Sequence, residues 1–165
     1  MNKKGFSTVE LVVSFIIASL IIAAMYRATL SLNEKLLYHQ HLSNITVYIG
    51  TLTNNIYEDL IDNIDNPLTG VSDCGEGCFA LTFKDSKTKE VKINQENNTF
   101  SYDNIVEKLP SDFQFNSSGM SAKIISENMS EDYHDSIFIL TVPIISKIYD
   151  DKFSIEIVYT YDSRK

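Results

Sequence analysis

The sequence predicts an α+β protein in which one very long N-terminal helix packs on an antiparallel β-sheet. Three observations carry that expectation. Residues 6–26 form an apolar run interrupted by one charge, Glu10. Beyond it, Tyr38, Leu42, Ile45, Ile49, Leu52 and Ile56 recur at spacings of four and three, with no proline before Pro67. That is the stripe of an amphipathic helix. From Phe79 onward the apolar residues switch to a period of two, the period of a strand.

The elements follow in order. As a helix, residues 6–26 rise about 31 Å, close to the hydrocarbon thickness of a bilayer. Lys3 and Lys4 flank the N-terminal end and predict that it stays in the cytoplasm while the rest lies outside. The expected location is therefore the cytoplasmic membrane, crossed once, with the lipid bilayer as a partner and the C-terminal domain outside. Residues 27–64 continue the helix, with polar Asn44, Thr46, Thr51, Asn54 and Asn55 between the stripe positions. Gly50 is a soft spot that costs about 1 kcal/mol relative to Ala. The run Asn63-Ile-Asp-Asn-Pro67-Leu-Thr-Gly70 stops the helix, because the residue before a proline is biased away from helical angles. A helix from Phe6 to Asn63 would rise about 87 Å. Its polar half is not stable alone, so the stripe must dock.

Residues 65–165 supply the docking surface, an extracytoplasmic antiparallel sheet domain. Phe79–Phe83, Val91–Ile93 and Phe100–Tyr102 alternate and are joined by polar connections, which predicts two consecutive hairpins. Phe113–Phe115 and Lys123–Ser126 are weaker strands. Asp135–Ile145 is a long apolar strand interrupted by Pro143, which predicts an edge or a bulge there. Phe153, Ile155, Ile157, Tyr159 and Tyr161 then form the cleanest alternation in the chain.

Composition excludes several classes. At 165 residues, 44% hydrophobic and 22% charged, the chain is neither disordered nor of low complexity. Its net charge of −8 argues against general nucleic-acid binding, which needs basic residues to displace phosphate counterions. Residues 66–165 hold 16 acidic and 10 basic side chains, so direct nucleic-acid binding by the sheet domain is also disfavoured. Two cysteines are too few for a disulfide scaffold or a four-cysteine zinc site.

Residues 6–26 admit three readings. A secretory signal peptide fits the basic start, but the apolar region is long and Ile22-Ala23-Ala24 is the best cleavage site on offer. A plain single-pass anchor is the second. The third comes from Lys4-Gly5-Phe6-Ser7-Thr8-Val9-Glu10-Leu11, which resembles the processing motif of type IV prepilins and pseudopilins. The resemblance implies a leader, residues 1–5, removed after Gly5 by a prepilin peptidase on the cytoplasmic side. It implies methylation of the new N-terminal Phe6 and a subunit-assembly role for Glu10, in a helix that serves as transmembrane segment and then as filament core. A carboxylate inside such a segment is costly, and a generic anchor has no reason to keep one. The order of helix, loop and antiparallel sheet also resembles the type IV pilin fold. Major pilins often carry a helix-kinking proline where this chain has Arg27, and its absence leans toward a minor pilin or a pseudopilin. The partners implied are other pilin subunits, the prepilin peptidase and the assembly platform in the membrane. The reading of another class is a membrane-anchored extracytoplasmic binding domain that never polymerises.

Other candidate chemistry is thin. Cys74-Gly-Glu-Gly-Cys78 allows a small ring in an oxidising compartment, worth roughly 2 kcal/mol by loop entropy; free thiols are the alternative. His39 and His41 point to nearly opposite sides of a helix and cannot share a metal, and His134 has no second histidine nearby. These three read as surface residues. Asp150-Asp151 lacks EF-hand spacing, and Ser86-Lys-Thr-Lys89 reads as a charged hairpin connection rather than a nucleophile and its base. Neither an enzyme, a metal site nor a cofactor is expected.

Overall fold

The computed structural model describes residues 7–130 and 133–162, side chains at 127–134 excepted. The chain divides into two compact units, Met1–Ser43 and Asn44–Lys165. Helix α1 (Thr8–Asp62) runs through the first unit and supplies the N-terminal element of the second.

Within the second unit, Ile45, Leu52, Ile56 and Leu60 of α1 are buried in one core with residues from every sheet layer. Ile45, Leu52 and Ile56 are members of the stripe read from the sequence. Ile49 is half-buried against the same core, joined by Tyr48 and Tyr57, which the stripe did not include. Burying a leucine or isoleucine side chain fully stabilises a fold by about 1.5–3 kcal/mol.

The expected single sheet is two. The first is a five-stranded antiparallel meander of β1 (Leu68–Gly75), β2 (Cys78–Phe83), β3 (Thr88–Asn94), β4 (Thr99–Tyr102) and β5 (Ile105–Lys108). The hairpins β2–β3 and β3–β4 match the sequence pattern, and their turns hold Ser86 and Asn98 at positive φ. The outer strands β1 and β5 carried no clear signal. Five of the eight residues of β1 are Thr, Gly, Ser or Asp, and it is a strand because β2 offers it a partner.

The second sheet holds β6 (Phe113–Phe115), β7 (Ser121–Ser130), β8 (Tyr133–Ser146) and β9 (Lys152–Asp162). Here a correction applies to Pro143. Far from an edge, β8 is the central strand, with β9 on one side and β6 and β7 sharing the other. Pro143 pairs with Ser154 of β9, and its carbonyl accepts the Asn116 N–H on the opposite side. A residue sends its N–H and C=O to the same side of a strand. The missing N–H of Pro143 therefore faces the gap between β6 and β7, where a turn of 3-10 helix, Ser117–Gly119, replaces a strand. Gly119 lies against the proline ring, and a Cβ there would stand 2.9 Å from Pro143 Cγ.

Candidate functional site

In the first unit, the side chains from Val9 to Leu37 that are large and apolar stand exposed, among them Phe15, Ile16, Ile17, Leu20 and Ile21. This helix is long and apolar enough to cross a bilayer. The hydroxyls of Ser19 and Thr29 donate to the carbonyls of Phe15 and Met25, at 2.8 and 2.9 Å. Such bonds remove the cost of carrying those hydroxyls into an apolar medium.

Glu10 is the acidic residue of the first helical turn. Its Oε2 accepts the Ser7 N–H at 2.9 Å, while Ser7 Oγ accepts the Val9 N–H at 3.3 Å. Ser7 and Glu10 thus form a capping box across Ser-Thr-Val-Glu, each satisfying a donor that the helix end leaves free. The sequence contains that spacing, and the carboxylate is placed to serve its own helix start as well as the positive end of the dipole. Gly5 and Phe6, the residues of the expected cleavage and methylation, lie outside the described residues.

The second unit holds an ionic cluster that no motif announced. Lys89 of β3 donates through Nζ to both carboxylate oxygens of Asp59 on α1, each at 2.6 Å. The Tyr102 hydroxyl of β4 donates to Asp59 Oδ2, also at 2.6 Å. Lys89 stands 5.5 Å from the centre of the Phe83 ring and 5.7 Å from that of Tyr102, so its ammonium is held by aromatic faces as well. The side chain of Lys89 is 16% exposed and that of Asp59 28%. This is a clamp of the helix onto the first sheet. On the second sheet, the Tyr57 hydroxyl donates to the Val158 carbonyl at 2.6 Å and accepts the Val158 N–H at 3.1 Å, while the Tyr159 hydroxyl donates to the Leu60 carbonyl. Three tyrosines and one ion pair therefore fasten one helical segment to both sheets.

Burial raises the phenol pKa of Tyr48, Tyr102 and Tyr161 above the usual value, with Tyr161 pushed up to about 12. At Tyr102 the hydrogen bond to Asp59 adds to burial, and at Tyr48 the charge of Glu107 does. A raised native value favours the neutral phenol. The associated stability is complete below the unfolded value of 10.0 and is lost as the pH rises through the native values. The expected result is a second unit whose stability is level up to about pH 10 and falls beyond it. Tyrosinate absorbance at 295 nm and near-ultraviolet circular dichroism, followed together, check this: the buried tyrosines ionise only as the dichroism is lost.

Cys74 and Cys78 are joined by a disulfide, their Cα atoms 5.2 Å apart, at the β1–β2 turn. Gly77 in this ring has φ 69°, and a Cβ on it would stand 3.2 Å from that of Ser117. The ring presents Glu76, whose Oε1 accepts from Ser117 Oγ at 2.9 Å. It therefore ties the β1–β2 turn to the segment between β6 and β7. The side chain of Lys89 is engaged with Asp59, so it does not face Ser86 as a base. His41 is buried and not the surface residue expected, and the side chain of His134 lies outside the described residues. Among the described residues, no three His, Cys, Asp or Glu side chains group as metal ligands.

No family model, curated protein or solved structure matches this chain.

Proposed function

We propose that the chain is a prepilin that loses residues 1–5 to a prepilin peptidase and assembles through its N-terminal helix into a type IV pilus-like filament, as a minor pilin. Its role is structural, not enzymatic. The observation that carries this reading is the placement of Glu10: a carboxylate in the first turn of a helix whose N-terminal apolar side chains stand exposed, four residues after the expected new N-terminus at Phe6. In lipid that carboxylate sits near the headgroups and costs little. In a filament the same segment is surrounded by apolar helices, where an unpaired carboxylate is strongly unfavourable. The Phe6 amine of a neighbouring subunit supplies the missing positive charge and rewards one axial register. A pseudopilin of a secretion or competence filament uses the same chemistry.

The bond from Ser7 N–H to Glu10 favours a second reading, a non-polymerising membrane anchor whose carboxylate only caps its own helix. One set of measurements separates them. Intact mass of the membrane-extracted protein is expected to fit a chain starting at Phe6 and carrying one methyl group; retention of Met1 or Gly5 supports the anchor. Glu10→Gln is expected to be processed, inserted and folded, yet to occupy at least tenfold less of the sheared filaments than wild type at equal membrane abundance, a difference of about 1.4 kcal/mol. Equal incorporation leaves Glu10 as a helix cap.

A further inference from the structure

Strand β9 is an edge of its sheet over eleven residues, and its pairing with β8 contains no bulge. An edge of that length exposes a row of unpaired N–H and C=O groups, which native chains cover or break. Tyr57 covers the row at one residue, taking both backbone groups of Val158. Backbone groups alternate sides along a strand. The N–H and C=O of Ser154 and Glu156 therefore face the same way as those of Val158. They open into a groove of about 520 Å³ lined by Ile49, Gly50, Thr53, Asn54 and Tyr57 of α1 and by Ser154 and Glu156. Among the described residues no protein group meets them there.

The floor of this groove carries a second sign. Gly50 lies in the interior of α1, where glycine is a poor helix former. Nothing stands within 4 Å of a Cβ built on it, so packing inside the chain does not demand glycine. Its lack of a side chain keeps the groove open beside the strand edge. The charge lining the groove is the carboxylate of Glu156, whose Oε1 accepts from Ser154 Oγ.

We propose that this groove takes an extended segment of a partner polypeptide, added as a further strand beside Ser154 and Glu156, with a basic side chain opposite Glu156. Main-chain hydrogen bonds to the two free rungs hold the segment, and alternate side chains point down onto Gly50 and Ile49. Tyr57 blocks the edge at Val158, so the added strand runs from there toward Lys152 and is about four or five residues long. The inference does not depend on filament assembly, because the groove lies wholly within the second unit.

The full chain in nonionic detergent tests this with a fluorescein-labelled probe peptide, Val-Lys-Val-Thr-Val-Lys, followed by anisotropy and by amide hydrogen exchange. The expected result is saturable binding that slows exchange at Ser154 and Glu156 by about tenfold. Gly50→Leu keeps the helix, since leucine is the better helix former, but fills the floor; binding is expected to weaken by about tenfold or more. Glu156→Lys is expected to weaken the same probe and to favour one with glutamates in place of its lysines. No slowing at Ser154 and Glu156 at millimolar peptide overturns the proposal. So does undiminished binding to Gly50→Leu, or protection that appears on β1 or β5 instead.

Discussion

Leu52→Asp abolishes folding of the second unit. Leu52 is fully buried where α1 meets the core, and it lines the same cavity as Glu107. Truncating such a residue to alanine costs about 2–5 kcal/mol through lost transfer energy and the cavity left behind. Aspartate adds an unpaired charge in an apolar site, and the two costs together reach the whole stability of an ordinary domain, about 5–15 kcal/mol. Near-ultraviolet circular dichroism of the tyrosines is the measurement, on the full chain in detergent with a urea titration. Thr51→Asp is the control. It places the same charge one residue away on an exposed position, and its unfolding midpoint is expected to stay near that of wild type. A cooperative, wild-type-like transition for Leu52→Asp would mean that the stripe does not dock on the sheets.

Asp59→Leu lowers the stability of the same unit by about 3 kcal/mol. The reason is the cation it strands. Lys89 is mostly buried, its ammonium enclosed by Asp59 and the rings of Phe83 and Tyr102. Asp103 is the next carboxylate, at 3.9 Å. Removing one partner of such a pair costs more than the pair contributes, because Lys89 has lost its solvation and keeps only the longer contact to Asp103 and the two rings in exchange. Asp59→Leu combined with Lys89→Met is therefore expected to recover most of the loss, and a double-mutant cycle on urea midpoints measures the coupling. If the double variant is as unstable as the sum of the singles, Asp59 and Lys89 act independently and the clamp is not an ion pair.

The two predictions differ in how far the sequence alone could have reached them. Leu52 belongs to a local pattern: a four-and-three spacing on a proline-free helix marks a buried stripe wherever the partner surface lies. Asp59 runs against local logic. An acid in the last turns of a helix opposes the macrodipole, and α1 has no base in its last turn to compensate. What offsets it is Lys89, thirty residues on, near the start of β3. No spacing rule links those two positions. The same holds for Tyr57, whose hydroxyl finds the edge of β9 about a hundred residues away.

The extent of α1, its stop before Pro67 and most of the strands were determined by the sequence itself, because each rests on short-range chemistry: periodicity, turn residues and the geometry of proline. So was the capping box at Ser7 and Glu10, a contact over three residues. Tertiary structure decided which strands share a sheet. Chain that leaves β5 past Leu109-Pro110 could have continued the first meander, yet β6 pairs with β8, and this separates the sheets. It also made β8 central in spite of Pro143, since a proline is excluded only where its missing N–H would face a partner strand, and here it faces the turn around Gly119. Strand pairing depends on which edges meet in space, and hydrogen bonds between distant backbones leave no periodic mark in either strand.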